Sequence, residues 1–144
     1  MSIRYDIEEL IEDRFIDLLD TKLDCYVRSW SDTESSDLSP IVLVNAIEID
    51  QESGTRNSYT GLRLRVDFGV FVDRNRENSR LAGQIRGQIR EILCSDDIVS
   101  LLNQNDDVHV YRTGVIPIGS AQSEEGNLFR KDESVEVVAS INVD

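Results

Sequence analysis

The chain has 144 residues, a formal net charge of −13, and a composition that is 40% hydrophobic and 30% charged, which describes one globular domain with a buried core. A pI near 4.4 argues against a dedicated DNA-binding protein and disfavours an anionic membrane surface. No apolar run approaches the roughly 20 residues that span a bilayer, the N-terminus lacks an apolar signal segment, and Cys25 and Cys94 stand alone, so the expectation is two reduced thiols in a cytoplasmic setting.

Residues 3–22 repeat Ile3, Ile7, Leu10, Ile11, Phe15, Leu18 and Leu19 at three- and four-residue spacing, which predicts an amphipathic helix with Ser2 as its cap. Asp6, Glu8 and Glu9 suit the positive end of that helix. Glu12, Asp13, Asp17 and Asp20 continue beyond it, and the i,i+4 pairs Glu8/Glu12 and Asp13/Asp17 are predicted to cost a few tenths of a kcal/mol each. Residues 24–30 predict a short strand, and the Ser- and Asp-rich residues 31–39 a loop ending at Pro40. Residues 41–49 predict an apolar strand, and residues 50–59 a hairpin connection around Gly54.

Residues 60–72 alternate strictly, with Leu62, Leu64, Val66, Phe68, Val70 and Val72 on one face and Arg63, Arg65, Asp67, Gly69 and Phe71 on the other. This predicts an unusually long strand with one buried face. Residues 77–93 predict a second helix, with the stripe Leu81, Ile85, Ile89 and Ile92 and a cap at Asn78 or Ser79. Gly83 and Gly87 stand off that stripe, and because glycine inside a helix costs about 1 kcal/mol, they predict close approach of another backbone. A helical turn at 97–103, a strand at 108–118, a long polar connection at 119–133 and a strand at 134–143 complete the chain. The order is α-β-β-β-α-β-β, and the hairpins imply antiparallel pairing: one α+β domain over residues 1–144, with a mostly antiparallel sheet and two helices packed on one face.

The charges are segregated. Residues 56–90 hold eight arginines against three acids, while residues 1–55 carry a net −10 and residues 91–144 a net −8. Such a field steers association. A nucleic-acid groove would interleave aromatics with the bases, and only Tyr59, Phe68 and Phe71 lie near. Complementary packing of Arg63, Arg65, Arg80, Arg86 and Arg90 against Glu8, Glu12, Asp13 and Asp17 of another copy is the expectation, with pairing inside one subunit as the competing outcome. Reversing Arg80, Arg86 and Arg90 together is predicted to impair assembly more than folding. His109 reads as an ordinary strand histidine. The paired acids Asp96-Asp97 and Asp106-Asp107 read as capping and loop groups, Asp50-x-Glu52-x-Gly54 lacks the remaining ligands of a calcium loop, and no phosphate-binding or nucleophile motif occurs. No metal, no cofactor and no catalytic residue is expected.

The helix at residues 3–23, the hairpin at 41–72 with its long second strand, the helix in RENSRLAGQIRGQIREIL and the closing strands at 108–118 and 134–143 together resemble the tail-terminator and head–tail neck (tail completion) proteins of tailed bacteriophages. The resemblance covers nearly the whole chain and rests on length, order and acidity. It implies a non-enzymatic structural protein of the virion: a homo-oligomeric ring, typically a hexamer, that caps the tail tube and joins it to neck or connector proteins. It further implies assembly in the host cytoplasm and DNA passing through the lumen without sequence-specific binding. The alternative is a non-catalytic adaptor or binding domain of a cellular protein.

Overall fold

The structure is a computed structural model and describes residues 6–32, 38–52, 61–104, 108–116 and 122–141. Helix α1 (Ile7–Lys22) opens on Asp6, whose carboxylate accepts the Glu8 amide at 3.0 Å. The predicted cap Ser2, and Ile3 of the apolar stripe, lie outside the described residues. The remaining stripe residues, Ile7 to Leu19, are all buried. Strands β1 (Tyr26–Ser29), β2 (Ile41–Glu52) and β3 (Gly61–Asp73) follow, then helices α2 (Arg80–Leu93) and α3 (Ile98–Leu102), and finally strands β4 (Val108–Ile116), β5 (Gln122–Glu125) and β6 (Leu128–Ile141). The turn predicted around Gly54 lies outside the described residues.

One sheet runs in the order β1-β2-β3-β6-β4, with β5 paired to β6. All pairings are antiparallel except β1–β2, which is parallel. The fold is therefore α+β with a mixed, mostly antiparallel sheet. One parallel pair agrees with the mostly antiparallel expectation. The Tyr26 amide donates to the Pro40 carbonyl at 3.3 Å and the Trp30 amide to the Val44 carbonyl at 2.9 Å, one at each end of the pair. A connection of about a dozen residues allows two strands to run parallel, whereas a tight turn does not. The Ser39–Pro40 peptide bond is cis.

A departure from the expected order is at residues 119–133. Instead of a polar connection, β5 and β6 form a hairpin around Gly126, whose φ of 62° is the left-handed conformation that glycine adopts freely. Phe129, Lys131 and Glu133 take the helix-covered face and Arg130 and Asp132 the other, so no apolar alternation announces the strand. Pairing of residues 128–133 with Phe68–Asp73 of β3 holds it in place.

All three helices lie on one face of the sheet and share a single apolar core with it. Phe15 of α1 meets Phe68 of β3 edge-on, with ring centroids 5.4 Å apart, at its centre. Helix α1 lies over β1 and β2, and α2 over β6 and β3. Gly83 is not approached by another backbone: a β-carbon there would meet the Lys131 ammonium at 3.3 Å, and one at Gly87 would meet nothing within 4 Å. The predicted close backbone contact is thus absent within the described subunit.

Candidate interaction surfaces

Five of the nine predicted interface residues are committed inside the subunit. Arg63 of β3 forks onto Glu136 of β6, with three N–H···O contacts of 3.1–3.2 Å. The two lie diagonally on the uncovered face, since Arg63 is in register with Val138. Arg65 binds Asp67, two residues along the same strand, at 3.1 Å. Arg90 of α2 donates through Nε to Glu133 Oε2 at 2.8 Å. Pairing within one chain, the competing outcome, holds for these three arginines.

Glu8 and Glu12 are structural. Strand β1 ends at Ser29, so β2 runs on beyond it with amides that have no strand beside them. Glu12 Oε2 accepts the Ala46 amide at 3.0 Å, and Glu8 Oε2 accepts the Glu48 amide at 2.7 Å. The spacing matches: four helical residues rise about 6 Å, and two strand residues about 6.7 Å. Glu12 Oε1 also accepts the Ser29 hydroxyl at 2.7 Å. Two carboxylates of α1 therefore continue the edge of the sheet where β1 stops. Asn103 does the same at the opposite margin, its side-chain amide donating to the Val110 carbonyl at 2.8 Å and accepting the Val110 amide at 2.6 Å. Unpaired strand edges invite pairing with other chains, and both are blocked at these positions.

Beneath α2, Glu133 is fully buried, the only acid so placed among the described residues. Arg90 pairs with it while remaining half exposed. That hydrogen bond and the carboxylate's charge raise the Arg90 pKa further above its ordinary range. Glu133 Oε1 and Arg86 Nη1 are both buried without a hydrogen-bond partner. A buried carboxylate that loses its counter-ion is strongly destabilising, so the joint reversal of Arg80, Arg86 and Arg90 would damage the fold, contrary to the expectation from sequence.

Arg80 is exposed at the start of α2, and its guanidinium forms no ion pair among the described residues. Glu9, Asp13, Asp17 and Asp20 form an exposed acidic stripe along α1. Of the predicted set, Arg80 and Asp17 are exposed and make no ion pair among the described residues, Asp13 is exposed, and Arg86 is half-buried.

The sheet face away from the helices carries a cluster that sequence reasoning missed. Tyr26 and Trp30 flank Arg28 on the edge strand and are 43% and 47% exposed. Arg130 of β6 lies against the rings of Trp30 and Phe71, its Cζ 5.3 Å and 5.1 Å from their centroids, and donates through Nε to Asp132 at 2.7 Å. Gly69 makes room for this: a β-carbon there would stand 2.8 Å from Phe71 Cε2. Arg28 lies 5.7 Å from the Tyr26 ring centroid and 4.0 Å from Asp32. A shallow cavity of about 230 Å³ beside the cluster is lined by Arg65, Asp67, Arg130, Asp132 and Ser134. The signal in the sequence is the alternation Tyr26-Val27-Arg28-Ser29-Trp30, but the arginine that completes the cluster stands a hundred residues later, in a stretch whose polar composition predicts a loop.

Other chemistry-bearing groups are dispersed. His109 packs edge-on against Tyr111, whose hydroxyl lies 3.1 Å from Ser140 Oγ. Burial, reinforced by Asp24 and Asp20, pushes the Cys25 thiol up to about 11, opposite to the depression that makes a nucleophile. Cys94 is exposed. Among the described residues no three of His, Cys, Asp and Glu are grouped to hold a metal, and no helix is long and apolar enough to cross a membrane. No family model matches the chain, and no curated protein matches it in sequence.

Proposed function

We propose that the protein is a structural ring subunit of a tailed-phage virion, acting at the tail terminus or neck and working through surfaces rather than through a reactive site. The observation that carries this reading is the uncovered sheet face, where Trp30, Phe71 and Arg130 form an aromatic–arginine cluster and Tyr26, stacked with Arg28, is exposed beside it. Tyrosine, tryptophan and arginine are the residues that dominate protein–protein binding energy. On the same face, cations are matched by carboxylates: Arg63 by Glu136, Arg65 by Asp67, and Arg130 by Asp132. A nearly neutral face gives little driving force for phosphate, which suits a lumen that DNA traverses without being held. The order of elements supports the choice of ring subunit, as the resemblance implies.

Light scattering coupled to size exclusion, with negative-stain microscopy, tests the proposal. Rings of uniform diameter, or a ring formed on isolated tail tubes, are expected. A protein that stays monomeric at high concentration and also ignores tail tubes is a cellular adaptor or some other module, and the proposal fails.

A further inference from the structure

The margin of the sheet at β4 keeps one short stretch of edge open. Asn103 takes both backbone groups of Val110, so Val110 and its register partner Ala139 do not bond to each other. Outward and inward groups alternate along a strand, and β6 is regular here against β3. Val137 and Val135 therefore also turn their backbone groups to β3, and their partners Thr113 and Val115 turn theirs outward. Among the described residues no strand pairs with this side of β4. Elsewhere the edges are blocked. On β1 the Val27 carbonyl accepts Arg28 Nη1 at 2.8 Å, and the Ser29 carbonyl accepts the Asp32 amide at 3.0 Å. On β2 the amides of Ala46 and Glu48 go to Glu12 and Glu8. Strand β5, on the same side of β6 as β4, ends in Glu124 and Glu125, and charge on an edge discourages pairing.

The open stretch is self-complementary about Gly114. An antiparallel copy centred there sets Thr113 opposite Val115 and Arg112 opposite Ile116, so each outward N–H meets an outward C=O. Thr113 and Val115 are β-branched, which suits strand pairing. The one charge in residues 112–116 is Arg112. In this register it meets Ile116 of the second copy rather than another arginine, with Glu136, the register partner of that copy's Gly114, alongside. Like charges directly opposite would destabilise the pair. At the axis the two Gly114 Cα atoms form a non-hydrogen-bonded pair, the closest kind at about 4.5 Å. Gly114 is exposed, and a β-carbon there meets nothing within 4 Å inside the subunit. A shallow cavity of about 270 Å³, whose lining includes Gly114, Ile116 and Val138, leaves room for Ile116 of the second copy. The Asn103 cap on each copy confines the overlap to residues beyond Val110.

We infer that residues 112–116 of β4 pair antiparallel with the same residues of a second copy of this chain. The two sheets then join edge to edge, with both helix layers on one side. The contact is isologous, the same patch on both copies. It goes beyond the ring reading, because an isologous contact joins copies in pairs and does not by itself close a cyclic ring.

Sedimentation velocity and thermal melts of the full chain and of Thr113→Pro test the contact. The Thr113 amide points outward, so proline there removes no ladder bond within the subunit. The variant is expected to melt close to wild type and, with two hydrogen bonds lost per pair, to associate about tenfold more weakly. Cross-linking keeps the test independent of how that variant folds. On a background of Cys25→Ser and Cys94→Ser, Gly114→Cys is expected to form an intermolecular disulfide on mild oxidation, because its Cα atoms lie within bridging range across the axis. Arg112→Cys alone should not, whereas Arg112→Cys mixed with Ile116→Cys should. Equal cross-linking at Gly114 and Arg112, or a folded Thr113→Pro that pairs like wild type, overturns the inference. So does a wild type that stays monomeric, which leaves the edge to a strand of another protein. A wild type that pairs through Gly114 but forms no ring, alone or on tail tubes, keeps this contact and defeats the ring reading. Rings that survive Thr113→Pro and give no Gly114 cross-link do the reverse.

Discussion

Replacing Glu12 with alanine separates two accounts of the acidic helix. Judged by helix rules alone, Glu8 and Glu12 repel at i,i+4, and removing either should stabilise the helix by a few tenths of a kcal/mol. The structure reverses the sign. Glu12 receives the Ala46 amide at 3.0 Å and the Ser29 hydroxyl at 2.7 Å, and Ala46 is only 4% exposed. Hydrogen bonds to a charged acceptor contribute about 1.5–3 kcal/mol each, and a buried amide left unpaired costs about 1–3 kcal/mol. Ser29 keeps a second contact to Ser31 at 2.9 Å, and Glu12 is partly exposed, so water recovers some of the loss. The net expectation is about 2–3 kcal/mol of destabilisation, or roughly 5–10 °C in Tm for a chain of this length.

Glu8→Ala loses one bond at an exposed amide and should cost about 1 kcal/mol. Glu9→Ala removes a side chain with no hydrogen bond or ion pair among the described residues and should lie within about 0.5 kcal/mol of wild type. Urea unfolding at neutral pH measures all three, and an unchanged m-value would show that the denatured state is comparable. If Glu12→Ala costs no more than Glu9→Ala, the carboxylate is not serving as the missing edge of the sheet.

Arg90→Ala should lower Tm more than Arg80→Ala does, because it strands the buried Glu133, and Arg90→Lys should recover part of the loss by restoring a positive partner. Gly69→Ala forces Phe71 off its place, so it should cost about 1 kcal/mol and shift the emission of Trp30, the only tryptophan; an unchanged spectrum would mean that Phe71 does not order the cluster. With its pKa raised to about 11, native Cys25 should react with iodoacetamide at pH 8 about 100-fold more slowly than an unperturbed thiol, with labelling confined to Cys94. The sign for stability follows: between pH 9 and about 11 the unfolded thiol ionises while the native one keeps its proton, so stability due to Cys25 falls across that window, and a Cys25→Ala variant should lose this part of the alkaline sensitivity.

The elements with strong periodicity are legible in the amino-acid sequence itself. The alternation read over residues 60–72 corresponds to β3, Gly61–Asp73, and the Ile and Leu spacing of α1 marks its buried face; on α2 Ile85 and Ile89 are buried as predicted, while Ala82 and Leu93 complete the buried face and Leu81 and Ile92 are only half-buried. The N-terminal part of β6 is not legible, because Arg130 to Glu133 are charged on both faces and only pairing with β3 makes them a strand. The burial of Glu133 is hidden for the same reason, since a carboxylate in a polar run carries no sign of an arginine arriving from 43 residues away. At the candidate surfaces, charge is legible but commitment is not. Arg63, Arg65 and Arg90 look as available in sequence as Arg80, and the difference lies in whether a strand neighbour presents an acid at the right register.

That difference bears on how copies of this chain can meet. At Ala46 and Glu48 on one side and at Val110 on the other, the outward backbone groups of the sheet are already taken by Glu8, Glu12 and Asn103. A second copy cannot extend the ladder there without displacing charged or amide side chains that are themselves well bonded. Association through side-chain surfaces avoids those positions, and two kinds of surface respond differently to salt. A charged contact between copies of the kind expected from sequence, such as Arg80 against Asp17, is weakened as the Debye length shrinks from about 10 Å at 0.1 M to about 3 Å at 1 M. The neutral aromatic cluster around Trp30 and Arg130 is little affected, because apolar burial carries most of it. If the proposed ring forms, one that loosens in salt while still holding tail tubes assigns the charged surfaces to neighbouring copies and the sheet face to the tube. One that keeps its closure but releases the partner inverts that assignment.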